Sequence, residues 1–144
     1  MNVGFDFDDT LDEHVPGYQG SRGFLVRAIC SCLADREIFV ISARKRTEEN
    51  MTEIQAILKG ILHRNLPSEN IYLGYAGSEK AVLATKLNIR IFVDDDATVV
   101  ASMIEKKIDA FLVGTFLSKE YRQEWRKVTP SNVLKLYPKE RRNG

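Results

Sequence analysis

The chain has 144 residues, a formal net charge of +1 and 44% apolar residues, which is typical of one globular domain with a core of its own. A net charge this small gives no general attraction to nucleic acid or to membrane surfaces, and no apolar run approaches the length of a transmembrane helix. The charge is uneven, because residues 117–144 carry eight Lys or Arg against three Glu. We therefore predict a core, residues 1–128, and a basic C-terminal tail, residues 129–144.

The two cysteines, Cys30 and Cys32, are predicted to be reduced thiols that pack in the core. Positions two apart on a helix point to different sides, and no His or further Cys lies nearby to complete a tetrahedral zinc site. Reduced thiols are typical of the cytosol. The first strand begins at once, without room for a signal peptide, so we predict a soluble, cytoplasmic protein.

Apolar runs that suit strands alternate with stretches of helical periodicity. The predicted strands cover residues 3–7, 38–41, 70–74, 89–93 and 110–113. The predicted helices cover residues 21–35, a segment capped by Thr47 and closed by Asn65 and Pro67, and residues 78–87, 98–107 and 118–127. Glycines and a proline predict a loop over residues 12–23. This alternation predicts an α/β fold with a parallel sheet and right-handed crossovers.

Two acidic clusters follow apolar strands. Asp6, Asp8 and Asp9 crowd the end of the first strand, and residues 94–96, all Asp, follow the fourth. Close like charges disfavour ionisation, and a hard cation such as Mg²⁺, which prefers oxygen ligands, removes that cost. Each cluster alone is also compatible with an acidic turn or a helix cap.

Two further polar side chains, Ser42 and Lys80, are predicted beside the carboxyl ends of the strands. A Ser after a strand is commonly a turn or cap residue, and a lone Lys at a helix start is commonly solvated. Ligands of open α/β sheets bind beyond the carboxyl ends of the strands. Four such groups in this order therefore favour a binding or catalytic site.

The same four stretches resemble the motifs of the haloacid dehalogenase-like (HAD) hydrolase superfamily, over residues 3–113. The segment Asp6-Phe7-Asp8-Asp9-Thr10-Leu11 resembles the first motif, residues 38–42 the second, Lys80 the third, and Phe92-Val93-Asp94-Asp95 the fourth in its paired-Asp form. The resemblance implies a single Rossmann-like three-layer domain, with a five-stranded parallel sheet of order 5-4-1-2-3 and no separate cap domain.

The resemblance also implies a Mg²⁺-dependent phosphomonoester hydrolase with an aspartyl-phosphate intermediate. Asp6 would be the nucleophile and a metal ligand. Asp8 would be the general acid and base, and its backbone carbonyl would bind the metal. Asp95 would be the principal acidic metal ligand, with Asp94 assisting, directly or through water. Asp96 falls outside the motif and would support the site or cap a helix.

The phosphate-binding residues implied by the resemblance come from two loops. Ser42 and the backbone amides of Ala43 and Arg44 would donate hydrogen bonds to the phosphate oxygens. Lys80 would pair with the phosphate and with the nucleophile, as a compact point charge suits.

The spacing between motifs leaves no room for a cap, since core elements take up positions 12–41 and 43–79. An open site cannot exclude water by closing over a small substrate. Either a neighbouring subunit covers it, in a homo-oligomer, or the substrate itself is large, such as a nucleic-acid end or a protein. The run Arg44-Lys45-Arg46 could contact further phosphates of a nucleotide or a polynucleotide, although it is equally compatible with a solvated loop.

Three other readings compete with a phosphatase. The dehalogenase branch lacks the carboxylate found here as Asp8. A phosphoacceptor receiver domain needs an acidic residue at the end of its third strand, where this chain has Leu73 and Gly74. A non-catalytic, HAD-like binding protein would usually have lost Asp6 or Asp8.

Overall fold

A computed structural model describes residues 1–12, 30–31 and 33–112. Several predictions fall outside these residues: most of the loop over 12–23 and of the helix over 21–35, the helix over 118–127, the basic tail over 129–144, and Cys32. The described residues form a single α/β domain.

Five parallel strands form one sheet of order β3-β2-β1-β4-β5. The strands are β1 (Asn2–Phe5), β2 (Glu37–Ser42), β3 (Ile71–Leu73), β4 (Ile89–Asp94) and β5 (Asp109–Leu112). Three α-helices have both ends described: α1 (Glu48–Leu62), α2 (Glu79–Lys86) and α3 (Ala97–Glu105); a short 3₁₀ helix, Ser68–Asn70, precedes β3. This order is the predicted order 5-4-1-2-3 counted from the opposite edge, so the predicted topology is confirmed.

Apolar side chains cover both faces of the sheet, because successive strand residues point to opposite sides. On one face, Phe5 and Val40 pack with Ile54 and Leu58 of α1. On the other face, residues of β2 and β4 pack with α2 and α3, including Phe92, Ala84, Val100 and Met103. The continuous apolar run of β2 is thus buried on both sides, as expected for a parallel strand between two helical layers. The predicted three-layer arrangement is confirmed.

Cys30 lies in the first of these cores and is fully buried. Burial raises the pKa of its thiol to about 12, although the charge of Arg64 acts in the opposite direction. The side chain therefore behaves as a packed apolar group, as the sequence predicts.

The centre of the sheet places the ends of two strands beside each other. Phe5 of β1 is in register with Val40 of β2 and with Val93 of β4. The chain runs outward from β1 to β3 on one side and then returns to β4 and β5 on the other. The carboxyl end of β1 is therefore the point where strand order reverses, at which α/β sheets bind their ligands.

β1 ends at Phe5, two residues earlier than the sequence predicts. The amide of Asp6 still donates to the carbonyl of Val93, at 2.9 Å. The carbonyl of Phe7 then accepts hydrogen bonds from the amides of Thr10, Leu11 and Asp12, which turns the chain away from the sheet. Phe7 and Leu11 are nevertheless fully buried, so the turn is anchored by the core.

Within the described residues, the helices are too short or too polar to cross a lipid bilayer.

Candidate active site

Three carboxylates from two distant parts of the chain meet at the carboxyl ends of β1 and β4. Asp6 directly follows β1, Asp94 is the last residue of β4, and Asp95 comes next. One oxygen from each lies within 4.8 Å of the other two. Asp94 is fully buried and Asp6 nearly so, with 6% of its surface exposed. The backbone register of β1 with β4 brings the two acidic clusters together.

Lys80 joins two of these carboxylates. Its Nζ donates to Asp6 Oδ1 at 2.8 Å and to Asp94 Oδ2 at 3.0 Å. The side chain starts from the first turn of α2 and is buried. Burial by itself lowers the pKa of the ammonium, but the charges of Asp94 and Asp6 outweigh it, so the pKa of Lys80 is raised above its usual value. Lys80 is therefore a fixed positive charge at the centre of the site.

One lysine does not balance the carboxylates around it. Burial first, and the charge of Asp6 second, raise the pKa of Asp94. Burial and the neighbouring Asp6 likewise raise the pKa of Asp95. Both carboxyls thus resist ionisation, although Lys80 and the amide of Asp96 favour the ionised form of Asp94. A cation bound between them would stabilise the ionised forms.

The donor set fits a small hard cation. Its members are carboxylate oxygens, which Mg²⁺ prefers. Two ligands on opposite sides of a Mg²⁺ ion, each about 2.1 Å from it, are about 4.2 Å apart. Adjacent ligands are about 3.0 Å apart, and at most one pair among three ligands can be opposite, so Asp6, Asp94 and Asp95, which lie within 4.8 Å of one another, would move inward to bind one ion together. Asp6, Asp94 and Asp95 are therefore the side chains that would hold the metal.

Two neighbouring residues fix these carboxylates. The hydroxyl of Thr10, which is fully buried, donates to Asp6 Oδ2 at 3.0 Å. The amide of Asp96 donates to Asp94 Oδ1 at 2.9 Å, and the side chain of Asp96 caps α3 by accepting from the amide of Thr98 at 2.8 Å. Asp96 therefore supports the site and caps a helix, the two roles that the sequence offers for it.

Asp8 points to a different partner. Arg44, in the loop after β2, donates to it through Nε, at 2.9 Å from Asp8 Oδ2, and through Nη2, at 2.7 Å from Asp8 Oδ1. The Asp8 side chain is not part of the three-carboxylate group. The turn after Phe7 thus directs Asp6 and Asp8 to separate partners.

The predicted phosphate-binding loop lies next to this pair. The side chain of Ser42 is almost fully buried, and its Oγ accepts a hydrogen bond from the amide of Arg44 at 3.1 Å. That amide can reach a phosphate only by giving up this bond. The carbonyl of Ser42 accepts from the amides of Gly74 and Tyr75, which fastens the loop to the segment before α2.

A cavity of about 200 Å³ lies above the carboxylates. Six of the predicted site residues line it: Asp6, Asp8, Ala43, Lys80, Asp94 and Asp95. Ser42 and Arg44 are not among its lining residues. The remaining lining residues are Asp9 and Asp96, which belong to the acidic clusters of the sequence, and Ala76, Gly77 and Val99, which the sequence does not single out. Gly77 has a φ of +55°, a left-handed conformation that favours glycine. The two glycines Gly74 and Gly77 are the sequence signal that could have indicated a tight turn beside the site.

No model of a known protein family matches the sequence. An uncharacterized protein of Acanthamoeba polyphaga mimivirus is 29% identical over 155 aligned residues, which cover 94% of this chain. The chain spans only 31% of the length of that viral protein.

A crystal structure of an uncharacterized protein from Corynebacterium glutamicum has a similar fold. The superposition has a TM-score of 0.50, covers 99% of this chain and 98% of that chain, and has 14% sequence identity. The superposition supports a shared α/β architecture, and at 14% identity it carries no information about activity. The chemistry of the site therefore has to be argued from its own residues.

Proposed function

We propose that this chain is a Mg²⁺-dependent phosphomonoester hydrolase of the HAD type, which acts through an aspartyl-phosphate on Asp6. One observation carries the proposal: Asp6, Asp94 and Asp95 converge within 4.8 Å while Lys80 contacts two of them, at the floor of an open cavity. Phosphate monoesters react extremely slowly unaided, so a catalyst must supply a nucleophile, positive charge and a proton for the leaving group. This cavity has a candidate for each.

Asp6 is suited to be the nucleophile. Thr10 and Lys80 each donate to one of its oxygens, which holds the carboxylate in one orientation without burying it away from the cavity. In the first step a carboxylate oxygen forms a bond to phosphorus as the bond to the leaving alcohol oxygen breaks. In the second step water attacks the same phosphorus, inorganic phosphate is released and the Asp6 carboxylate is regenerated.

Positive charge comes from Lys80 and from the cation that the three carboxylates would hold. Lys80 is fixed by burial and by its contacts to Asp6 and Asp94, so it needs no rearrangement when charge develops on the phosphate oxygens. Mg²⁺, when bound, supplies further neutralisation of the transferring phosphoryl group. The amide of Ala43, which lines the cavity, and the hydroxyl of Ser42 next to it would donate to the remaining phosphate oxygens.

Asp8 is the candidate for the proton transfers, because it lines the cavity near Asp6 without joining the metal-binding group. It would protonate the departing alcohol in the first step and accept a proton from water in the second. Its contact with Arg44 determines where this carboxyl is held.

The cavity is open, and we extend the proposal to a substrate that is itself large or to a second subunit that covers the site. Lys45 and Arg46 are exposed in the loop beside it, which favours a nucleotide or a polynucleotide end over a monoester without further phosphates. Arg44, by contrast, already contacts Asp8 and Glu53. Arg46, although exposed, also donates through Nη2 to the carbonyl of Leu73 at 3.3 Å, so Lys45 is the member of the basic run best placed to contact a further phosphate.

The decisive experiment is hydrolysis of p-nitrophenyl phosphate with Mg²⁺, by the wild type and by Asp6→Asn. We expect Mg²⁺-dependent turnover that EDTA abolishes and that Asp6→Asn lacks, and a phosphorylated peptide containing Asp6 after acid quenching. Asp109→Asn, at an exposed carboxylate on β5, is the matched control and should keep full activity.

Failure of the folded wild type to hydrolyse any of a panel of nucleotides, sugar phosphates and phosphorylated oligonucleotides would contradict the proposal. Mg²⁺ binding without turnover would instead favour the non-catalytic or phosphoacceptor alternative.

A further inference from the structure

The contact between Arg44 and Asp8 uses both carboxylate oxygens. Arg44 Nη2 lies 2.7 Å from Asp8 Oδ1, and Nε lies 2.9 Å from Asp8 Oδ2 and 3.1 Å from Oδ1. We infer that Arg44 is a positioning residue, which holds Asp8 at the edge of the cavity for proton transfer to the leaving group; this rests on the proposed function. A planar, two-point contact of this kind fixes orientation as well as distance.

Arg44 is itself held from three directions. Its guanidinium lies over the ring of Phe7, with 5.0 Å between the guanidinium carbon and the ring centroid. Nη1 donates to Glu53 Oε2 on α1 at 2.8 Å. Its backbone amide donates to Ser42 Oγ. Arg44 therefore links the turn after β1, the loop after β2 and helix α1.

The same contacts argue against a direct role of the guanidinium in binding phosphate. Nε and Nη2 are directed at Asp8, and Nη1 is directed at Glu53. Asp8 lines the cavity whereas Arg44 does not. The arginine therefore acts on the reaction through Asp8.

Asp8 needs such a partner because of where it lies. Its side chain is 28% exposed, outside the regular strand, and the next residue, Asp9, has a left-handed φ of 59°. A carboxylate on such a turn has several accessible rotamers, and only some of them face the leaving group. The stacked guanidinium selects among them.

This arrangement predicts a dependence on the leaving group. An alcohol of high pKa needs a proton as it departs, whereas p-nitrophenolate departs readily without one. Arg44 should therefore matter for alkyl and aryl esters with poor leaving groups, the chemical class to which sugar and nucleoside phosphates belong. It should matter little for p-nitrophenyl phosphate.

The test compares kcat/KM for phenyl phosphate and p-nitrophenyl phosphate, because kcat/KM reports the steps up to phosphorylation of Asp6. Arg44→Lys keeps the charge but loses the planar two-point contact. We expect it to lower kcat/KM for phenyl phosphate by about tenfold or more, and for p-nitrophenyl phosphate by less than about threefold. Asp8→Asn should show the same selectivity, and the double variant should be no worse than Asp8→Asn alone. Arg90→Lys, at an exposed arginine of β4, is the matched control.

Equal losses for both esters, or no loss for either, would overturn the positioning role. The proposed hydrolase activity would still stand if the wild type hydrolyses these esters. Absence of wild-type turnover would overturn both. If thermal melting shows that Arg44→Lys does not fold, Glu53→Gln is the second variant, because it weakens the contact between Arg44 and Glu53 and leaves the contact with Asp8 in place. It should give a smaller loss with the same selectivity for phenyl phosphate, and unselective behaviour would again contradict the inference.

Discussion

The ammonium of Lys80 lies 2.8 Å from the carboxylate of Asp6, although the two residues are 74 positions apart. The same ammonium also contacts Asp94, and all three side chains are buried. Removing one member of a buried ion pair leaves an uncompensated charge in a poorly solvated place. The site's charge balance and the stability of the domain are therefore coupled.

Lys80→Met should lower the free energy of unfolding by about 3–5 kcal/mol without Mg²⁺, because Asp6 and Asp94 lose their buried counter-charge. Added Mg²⁺ should restore part of this loss, since a cation between the carboxylates replaces the missing charge. Urea unfolding with and without Mg²⁺ measures both effects. Lys86→Met, at an exposed position of the same helix, should change stability by less than about 0.5 kcal/mol. Equal effects of the two substitutions would contradict the pairing.

Mg²⁺ should raise the melting temperature of the wild type in a concentration-dependent way, because a ligand that binds only the folded state stabilises it. Asp95→Asn removes one of the three converging carboxylates and should strongly reduce this shift. Differential scanning fluorimetry over a Mg²⁺ titration provides the measurement. Asp109→Asn should retain the full shift, and a full shift in Asp95→Asn would remove this residue from the metal site.

Asp95 should make the metal-free protein less stable as the pH rises. Burial and Asp6 raise the pKa of Asp95 to about 9, from the ordinary value of 3.8 that applies in the unfolded chain. Between these two values the folded chain binds more protons than the unfolded chain, so the free energy of unfolding falls with increasing pH. Asp95→Asn cannot ionise there. Its stability relative to the wild type should therefore increase between about pH 4 and about pH 9.

Asp6 and Asp94 act on the Asp95 carboxyl and are themselves paired with Lys80, so the comparison is made in EDTA and as a difference between the two proteins at each pH. A constant difference across the range would show that Asp95 ionises as freely in the folded chain as in the unfolded one.

Gly4 should be intolerant of even one added carbon. A Cβ at this position would lie 2.6 Å from Cδ2 of Phe92 on the neighbouring strand. The Phe92 ring is buried between β4 and the α2–α3 layer, so Gly4→Ala should cost about 1–3 kcal/mol through overpacking. Gly60→Ala is the opposite case: nothing lies within 4 Å of the added Cβ, and alanine favours the helix, so stability should rise by roughly 0.5–1 kcal/mol. Chemical denaturation of both variants tests the pair, and tolerance of Gly4→Ala would contradict the close packing.

The strands and helices could be predicted because local patterns determine them. The buried run of β2 was expected over 38–41 and extends over Glu37–Ser42, and α2 was expected over 78–87 and extends over Glu79–Lys86. The ends are less predictable, because they depend on individual hydrogen bonds. α3 was expected to continue to Lys107, but it ends at Glu105, and Lys107 takes a left-handed φ of 61°.

The site could be predicted only as a set of residue positions. The acidic clusters and Lys80 follow strands or start helices, and parallel strands bring those positions to one edge. Asp6 and Asp8 have different side-chain partners, and a single sequence does not reveal which partner each of them contacts. Arg44 contacts both Asp8, in the turn after β1, and Glu53, nine positions further along the chain. No local pattern predicts either contact.

The middle strand of the sheet, β1, is only four residues long, and both of its neighbours, residues 37–42 and 89–94, come later in the sequence. Chains that stop short of residue 94 would leave one of its edges open to pairing with other molecules. The acidic clusters approach each other only when β4 pairs with β1, so their mutual repulsion opposes this pairing. A divalent cation present during refolding should therefore accelerate the pairing of β4 with β1 rather than the initial collapse.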